Sequence, residues 1–500
     1  MAGRNNFPHP ITILFFAIII AAGCTWLMPS GEYSKLSIKG DRFEMATQDG
    51  SIYLPLTQHT LDSLGMLIPL EKFTGGAIIK PVSVNGTYRK SKEKKQGFLE
   101  IVSAPVKGLY EAADIVFLIL VIGGFINVFN ETGAMMGGVT WLVHKMKGRE
   151  KWLIIILTFL FALGGSTFGM AEEGLAFYPV LVPLLLAAGY DLLVPVAVIY
   201  GGTCIGNLSS FTNPFATIIA SNAAGINWTE GMIGRIIIFI ITTSVAIAYI
   251  LRYAQKVKAH PERSLVYRFA GGSVSPYPVV TFEGDVIPTL PKRNLLLLLL
   301  FGATFVVMIT GVVVYDWWLE EMTTVFVASS LLIGLITRTN ESVFVKQFVK
   351  GAEMLLSAAL IVGIARGITI ILNEGMVSDS ILYYAAQAVQ HLPASLFIVM
   401  MLILFIVLSV FISSSSGMAV LTMPILGALA VIVNVPGKEI VNSYLYGIGI
   451  MGFLTPTGLV LPSLAMANVN LKVWWKFIRL LILMLFVICS AALIIGIWLH

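Results

Sequence analysis

The apolar and polar positions divide the chain into long hydrophobic runs joined by short polar connections. Runs at 11–28, 114–143, 229–253, 293–315, 321–337, 351–373 and 475–499 are each apolar nearly throughout. A helix of about 20 apolar residues crosses the hydrocarbon of a bilayer, so each run predicts a transmembrane helix. Two further regions, 152–226 and 394–471, are equally apolar but interrupted by Gly, Pro, Ser and Thr clusters. The stretch 29–98 is polar, with short alternating pieces such as 77–84, and predicts a small strand-containing insert outside the membrane. A second polar linker covers 256–291.

Short loops rich in Lys and Arg face the cytoplasm. Three clusters qualify: Lys145, Lys147, Arg149 and Lys151; Arg252, Lys256, Lys258 and Arg263; and Lys472, Lys476 and Arg479. With the N-terminus inside, 11–28 leads out and 114–143 leads back, which places the insert outside. Its Lys90, Lys92, Lys94 and Lys95 run against the rule, but long loops cross largely regardless of charge. The basic clusters then require 152–226 and 394–471 each to make one net crossing, and both are too long for one helix. The reading is a re-entrant hairpin at about 152–189 followed by a broken helix at 194–226, and a second hairpin at about 394–434 followed by a broken helix at 439–471.

These two regions sit in an internal repeat. Val106-Lys107-Gly108 precedes Asn130-Glu131 by 24 positions, and Val349-Lys350-Gly351 precedes Asn373-Glu374 by the same 24. Both hairpins turn at Gly-Met-Ala, at Gly169-Met170-Ala171 and Gly417-Met418-Ala419. Both broken helices carry a polar residue before proline, at Asn213-Pro214 and Thr455-Pro456. The order is common to both halves while the hairpins open to opposite sides, so the repeat is of inverted topology, a construction typical of secondary transporters. The organisation read from the chain is a first span at 1–28, the insert at 29–98, repeat 1 at 99–255, the linker at 256–291, a single span at 293–315 and repeat 2 at 321–500. The fold class is an all-α polytopic membrane protein with two re-entrant hairpins and two broken transmembrane helices. The amphipathic segments 99–112 and 340–352 are read as surface helices preceding matching spans.

Composition narrows the function. Of 500 residues only 12% are charged and 57% are hydrophobic, against about 25% charged in a soluble domain. Mean hydropathy is +0.88. A soluble enzyme, a nucleic-acid binder and a disordered scaffold are excluded, because none could hide so much apolar surface. Cys24, Cys204 and Cys489 lie in apolar surroundings and offer neither a disulfide framework nor a zinc site. The first run lacks a small-residue cleavage site and reads as a retained span. No Gly-rich Lys-Ser/Thr nucleotide motif occurs, which disfavours ATP drive within this chain.

Irregular backbone at membrane depth is tolerated where it lines a cavity, and there the freed N–H groups hold carboxylates while freed oxygens hold cations. Four places supply it: the first tip, Gly164-Gly165-Ser166-Thr167-Phe168-Gly169; the first break, Asn207 to Pro214; the second tip, Ser413 to Gly417; and the second break, Thr455 to Gly458. Candidate substrate contacts at the first tip are Ser166, Thr167, Glu172 and Glu173. In the second half they are Arg366, Ser414, Ser415, Ser416 and Thr457. Candidate cation ligands are Asn207, Ser209, Ser210, Asn213 and Thr455, for Na+. The same hydroxyls can instead satisfy local backbone. Arg366, between Gly363 and Gly367, can bind a substrate carboxylate or pair with Glu172 or Glu173, and either glutamate can bind an amino group or carry a coupling proton. Glu111, Asp114, Asp191, Glu230, Arg235 and Glu353 lie near span ends and read as interfacial; Trp141, Trp317, Trp318, Trp474 and Trp475 read as an aromatic belt. A membrane enzyme using Ser413–Ser416 as nucleophile needs an activating base, and none of the six histidines falls at the middle of a span. No ring-forming charge pattern favours a channel.

At these residues a family resemblance emerges. Pro8-His9-Pro10 before the first run and Pro29-Ser30-Gly31-Glu32-Tyr33 after it resemble the YfcC family of the anaerobic C4-dicarboxylate carrier (DcuC-like) group. Phe168 to Glu173, Gly363 to Gly367, Ser414 to Ala419 and Thr455 to Gly458 are similar to the same group. The resemblance spans nearly the whole chain apart from 34–96. It implies the wider ion-transporter superfamily, with the divalent-anion/sodium symporters and the AbgT family: an inner-membrane homodimer of scaffold and elevator-like transport domains, with no cofactor beyond Na+ or H+ as coupling ion and no nucleic-acid partner. Carried over, substrate contacts fall on Ser166, Thr167, Ser415 and Ser416, and cation ligands near Asn213 and Thr455. The sodium–dicarboxylate symporters use Ser-Asn-Thr at both tips, whereas here the tips read Ser166-Thr167-Phe168 and Ser414-Ser415-Ser416. Some relatives resemble arginine/ornithine exchangers, and Glu172-Glu173 would suit a cationic amino acid. The substrate stays open between a C4-dicarboxylate and an amino acid, and the mode between symport and antiport.

The topology makes a direct prediction. Cysteines placed at positions 60 and 146 label with impermeant thiol reagents from opposite sides of the membrane; labelling from one side overturns the orientation.

Overall fold

The computed structural model describes residues 10–499 except positions 77, 79, 146, 147, 271–274, 277–290, 316 and 413. Ser413, position 146, half of the 256–291 linker and Pro8-His9 therefore lie outside the described residues. Among the described residues, nine helices are long and apolar enough to cross a membrane: Pro10–Leu27, Ala113–Glu131, Met232–Ala259, Lys292–Val312, Leu319–Thr337, Glu341–Glu374, Ala394–Phe411, Ser415–Ile432 and Leu471–Trp498. Their outer faces carry exposed large apolar residues such as Leu335, Leu480, Leu483 and Val487, as lipid-facing helices require.

Two sequence boundaries shift. The run 114–143 is two helices, Ala113–Glu131 and Ala134–Lys145, because Gly133 takes φ +74° and ends the first. The segment 340–352 is no separate surface helix. It is continuous with the next span in the 34-residue helix Glu341–Glu374, capped by the Asn340 side chain accepting from the Ser342 N–H. At about 1.5 Å per residue such a helix is roughly 50 Å long, well beyond a hydrocarbon thickness of about 30 Å. Its counterpart Phe98–Glu111 does stay separate, ending at Ala112 before Ala113–Glu131.

The long helix is gripped at glycines. A Cβ on Gly351 would fall on the Gly123 carbonyl oxygen, and a Cβ on Gly123 would fall on that of Gly351. About three to four turns further along, a Cβ on Gly367 would lie 2.9 Å from the Ala104 backbone, one on Gly363 would fall on Leu109, and Gly108 returns the contact. The glycines flanking Arg366 are thus packing positions that bring Phe98–Glu111 against the long helix. An aromatic cluster of Phe125, Phe301, Phe305 and Phe326 closes the neighbouring interface, with Phe125 stacked on Phe301 at 5.4 Å.

The insert is a small antiparallel sheet with its own core. Strands order as Gly50–Pro55, Arg42–Thr47, Lys35–Lys39 and Val82–Ser83, with Leu36 opposite Met45 and Phe43 opposite Leu54. Leu36, Phe43, Leu61, Ile68, Phe73 and Val82 are buried inside it. The alternating segment 77–84 contributes a strand only at Val82–Ser83. The insert is tied to distant helices: the Gly31 N–H donates to the Met376 carbonyl at 2.9 Å, Ser30 Oγ to the Gly375 carbonyl at 2.9 Å, and Tyr88 stacks on Tyr383 at 4.0 Å. Thr60 is buried in it and bonded to Thr57 and Pro55, so the adjacent, exposed His59 is the better labelling position.

The interrupted regions are irregular where the sequence placed breaks. Lys151–Thr167 ends at a turn in which Gly169 takes φ +77°, followed by a 3-10 segment, Glu172–Phe177, and the helix Tyr178–Ala187. The path 193–223 runs helix, π-turn and helix to Leu208, breaks, and restarts at Pro214. Ala394–Phe411 and Ser415–Ile432 flank the second tip, and Gly437–Gly452 and Val460–Met466 flank the second break. Two interfacial readings change. Arg235 is fully buried and donates to the carbonyls of Trp228 and Glu230. Trp474 is fully buried, its Nε1–H donating to the Phe453 carbonyl at 2.8 Å, so it belongs to the core and not to the belt.

Gly351→Val is expected to lower the melting temperature of the purified protein sharply, since overpacking a tight core costs about 1–3 kcal/mol or more. Gly234→Val is the control, because a Cβ there meets nothing within 4 Å. Equal thermal shifts for the two variants would refute the glycine-mediated crossing.

Candidate functional site

The two tips and two breaks enclose a cavity of about 610 Å³. Its walls come from separate parts of the chain. The first tip contributes Gly169, Glu172 and Glu173; the first break Asn207 and Asn213; the second tip Ser414, Ser415, Ser416 and Gly417; the second break Thr455, Thr457 and Gly458. The long helix adds Arg366, Thr369 and Asn373.

Local chemistry explains how each is held. The first helix arm ends at Thr167, which frees the Ser166 carbonyl; the N–H groups of Phe211 and Thr212 from the first break both donate to it at 3.3 Å. Thr212 Oγ1 donates to the Thr167 carbonyl at 3.0 Å. Gly206 packs so closely on Ala162 that a side chain would fall on the Ala162 carbonyl. Asn213 caps the restarting helix, its Oδ1 accepting from the N–H groups of Phe215 at 2.9 Å and Ala216 at 3.1 Å. Gly169 needs its glycine twice: its φ is positive, and a Cβ would lie 2.7 Å from the Asn213 amide. In the second half, Ser414 Oγ accepts from the Gly417 N–H at 3.1 Å, Tyr444 Oη donates to the Ser415 carbonyl at 2.7 Å, and Thr457 Oγ1 donates to the Val410 carbonyl at 3.2 Å.

Not every sequence candidate faces the cavity. Ser166 is fully buried and donates to the Ser209 carbonyl at 3.1 Å; Thr167 donates to the Leu163 carbonyl at 2.7 Å. Ser209 donates to the Ile205 carbonyl at 2.7 Å, and Ser210 pairs with Thr217 at 2.7 Å. Ser166 and Ser210 thus bond across tip and break, while Thr167 and Ser209 satisfy carbonyls of their own helices. The remaining ten candidates line the cavity. Among possible cation ligands, Asn213 Oδ1 is committed to its cap, and the Thr455 and Thr457 hydroxyls bond each other at 2.7 Å.

The cavity is strongly charged. Its walls hold Arg366, Lys80 and Lys35 against Glu172, Glu173, Glu111, Asp114 and Asp379. Arg366 has no carboxylate within ion-pairing distance among the described residues, although it stands in electrostatic reach of Glu172. Glu173 is buried and accepts from the Ala171 N–H at 2.9 Å. Sequence reading assigned Glu111 and Asp114 to the interface, and the structure turns both to the cavity. It missed Lys80, Lys35 and Asp379. The first two lie in a polar insert with no marker of membrane depth. Asp379 accepts from the Tyr33 N–H at 3.0 Å, and burial raises its pKa above the usual carboxylate range.

Comparison with known proteins identifies the family. A family model described as the C4-dicarboxylate anaerobic carrier matches residues 7–498. An uncharacterized protein of Haemophilus influenzae (strain ATCC 51907 / DSM 11121 / KW20 / Rd) is 39% identical over 99% of this chain and 98% of its own. The Escherichia coli (strain K12) protein YfcC, provisionally described as a basic amino acid antiporter, is 29% identical over 98% of this chain and 96% of its own. The crystal structure of the Alcanivorax borkumensis YdaH transporter aligns over 98% of both chains at 13% identity with a TM-score of 0.40, below the level at which two folds can be equated. The chain therefore belongs to the C4-dicarboxylate anaerobic carrier family and is a multi-pass membrane transporter.

Proposed function

We infer that this protein is a secondary active carrier of the inner membrane for a small carboxylate-bearing metabolite, and that its substrate also carries positive charge: an amino acid, a basic one above all. The observation that carries this reading is the cavity wall, where Arg366, without an ion pair among the described residues, and the Glu172-Glu173 pair face one space between the two tips. A guanidinium at membrane depth is costly, by about 2.5–3.5 kcal/mol on insertion scales, and a substrate carboxylate compensates that charge. The five acidic wall residues outnumber the three basic ones, which suits a bound ammonium or guanidinium better than a dianion. The relative provisionally described as a basic amino acid antiporter supports the same class.

A second reading, a C4-dicarboxylate, has one specific support besides the family description: Arg366 and Lys80 place two cations on one cavity. In both readings transport proceeds by alternating access. The paired tips and breaks form the moving unit, elevator-like, within a homodimer built on an inverted repeat. Coupling is by Na+ or H+, or by exchange, with cation ligands drawn from Asn207, Asn213 and Thr455. Glu172, Glu173 and Arg366 contact substrate together with Ser414, Ser415, Ser416 and Thr457.

The test is counterflow uptake in proteoliposomes, with and without a Na+ gradient, for arginine, ornithine, succinate and a short monocarboxylate. Uptake of arginine or ornithine is expected, abolished by Arg366→Gln. Uptake of succinate alone transfers the assignment to the dicarboxylate reading, and a silent panel overturns both. In the same assay Thr455→Ala and Asn213→Ala are expected to weaken cation dependence. Asn213→Ala also loses a helix cap worth about 1 kcal/mol, visible as a lower melting temperature. Unchanged cation dependence in both variants refutes the cation assignment.

A further inference from the structure

We propose that Lys80, carried by the polar insert, is a substrate-contacting residue that shares with Arg366 the task of binding the substrate carboxylate. The proposal rests on the carboxylate reading above and assigns part of the site to a segment far from the repeats in sequence.

Three observations converge. First, Lys80 Nζ donates to Ser416 Oγ at 2.9 Å, across 336 residues of chain, so the ammonium stands on the second tip itself. Second, Lys80 lines the same cavity as Arg366, close enough for the two cations to repel. Although the residue as a whole is exposed, its ammonium end is drawn against the tip; desolvation there, followed by the Arg366 charge, lowers its pKa from the ordinary ammonium range. Lys80 has no ion pair among the described residues, and Glu111 is the acid that offsets it at a distance. Third, the arrangement is anchored. Just beyond Lys80, Val82–Ser83 pairs with Lys35–Lys39 and packs on the helix Ser415–Ile432, and Leu67 of the insert closes on Gly225.

Two like charges on one wall, neither ion-paired among the described residues, repel each other, and an anion bound between them relieves that repulsion. Arg366 offers a planar fork and Lys80 a compact ammonium, so one carboxylate can accept from both while Ser416 orients the ammonium. The bland alternative is that Lys80 only clasps the tip through its hydrogen bond. Charge and hydrogen bond are separable. Lys80→Gln keeps a donor for Ser416 and removes the charge, Lys80→Arg keeps the charge, and Lys80→Ala removes both.

The experiment titrates purified full-length protein with arginine and argininamide, and with succinate and succinamide, reading affinity by ligand-induced thermal stabilisation. For whichever acid the wild type binds, Lys80→Ala and Lys80→Gln are expected to weaken binding by about tenfold, the scale of a charge-assisted contact. Affinity for the corresponding amide stays unchanged, and Lys80→Arg stays within about threefold of wild type. If Lys80→Ala does not fold, the Gln and Arg variants decide. Wild-type affinity for the acid in Lys80→Gln overturns the proposal and leaves a structural clasp. A wild type that binds neither acid removes the carboxylate reading itself and this proposal with it, which separates the two failures.

Discussion

A peptide group inside a bilayer has no water to bond with, and every N–H and C=O there needs a partner from the protein. That constraint shapes this molecule most visibly where its helices stop. The carbonyl of Ser166, released by the end of the first arm, takes two N–H groups from the first break. The break in turn restarts only because Asn213 supplies an acceptor to Phe215 and Ala216. In the second half Tyr444 covers the Ser415 carbonyl and Thr457 covers that of Val410. Tip and break are therefore a single hydrogen-bonded object in each half. The cavity lies where tip and break satisfy each other's backbone.

The same economy governs how the charged wall is positioned. Arg366 sits on a helix whose neighbouring turns are bare glycine, and those turns let Phe98–Glu111 approach to backbone contact. The guanidinium is thereby fixed on a face that packing leaves open to the cavity. Gly351 repeats the device further along the same helix, against Gly123 of Ala113–Glu131. Without a hydrophobic driving force between helices in lipid, close van der Waals contact of this kind is a principal source of association.

Much of this was legible in the sequence. Hydropathy located the spans, and Asn213-Pro214 marked the first break, because a residue that caps and a residue without an N–H together leave few alternatives to a helix restart; Thr455-Pro456 lies within the second break, but the helix after it restarts only at Val460, without a side-chain cap. Other features were not legible for physical reasons. A hydroxyl in an apolar helix defaults to a nearby carbonyl, so Thr167 and Ser209 bond their own helices and Ser166 and Ser210 join tip to break, although all four read as cavity residues. Gly133 splits a run that hydropathy reads as continuous, since mean hydropathy is blind to one positive φ. Glu111 and Asp114 sit at helix ends, where interface and cavity mouth have the same local sequence. Lys80 is invisible to any local pattern. Its position follows from how a folded insert leans on a tip more than three hundred residues away.

That distance has a consequence for biosynthesis. The insert follows the first span, yet its anchoring partners near Gly375, Met376 and Tyr383 lie some 345 residues later, as the Ser30 contact shows. At about 5–20 residues per second a ribosome needs roughly 17–70 s to make that length. During this interval the sheet around Phe43 and Phe73 must hold together without its docking surface. The private core of the insert thus serves the nascent chain as much as the finished carrier. A substitution there would first show itself as degradation during synthesis, before any transport cycle begins.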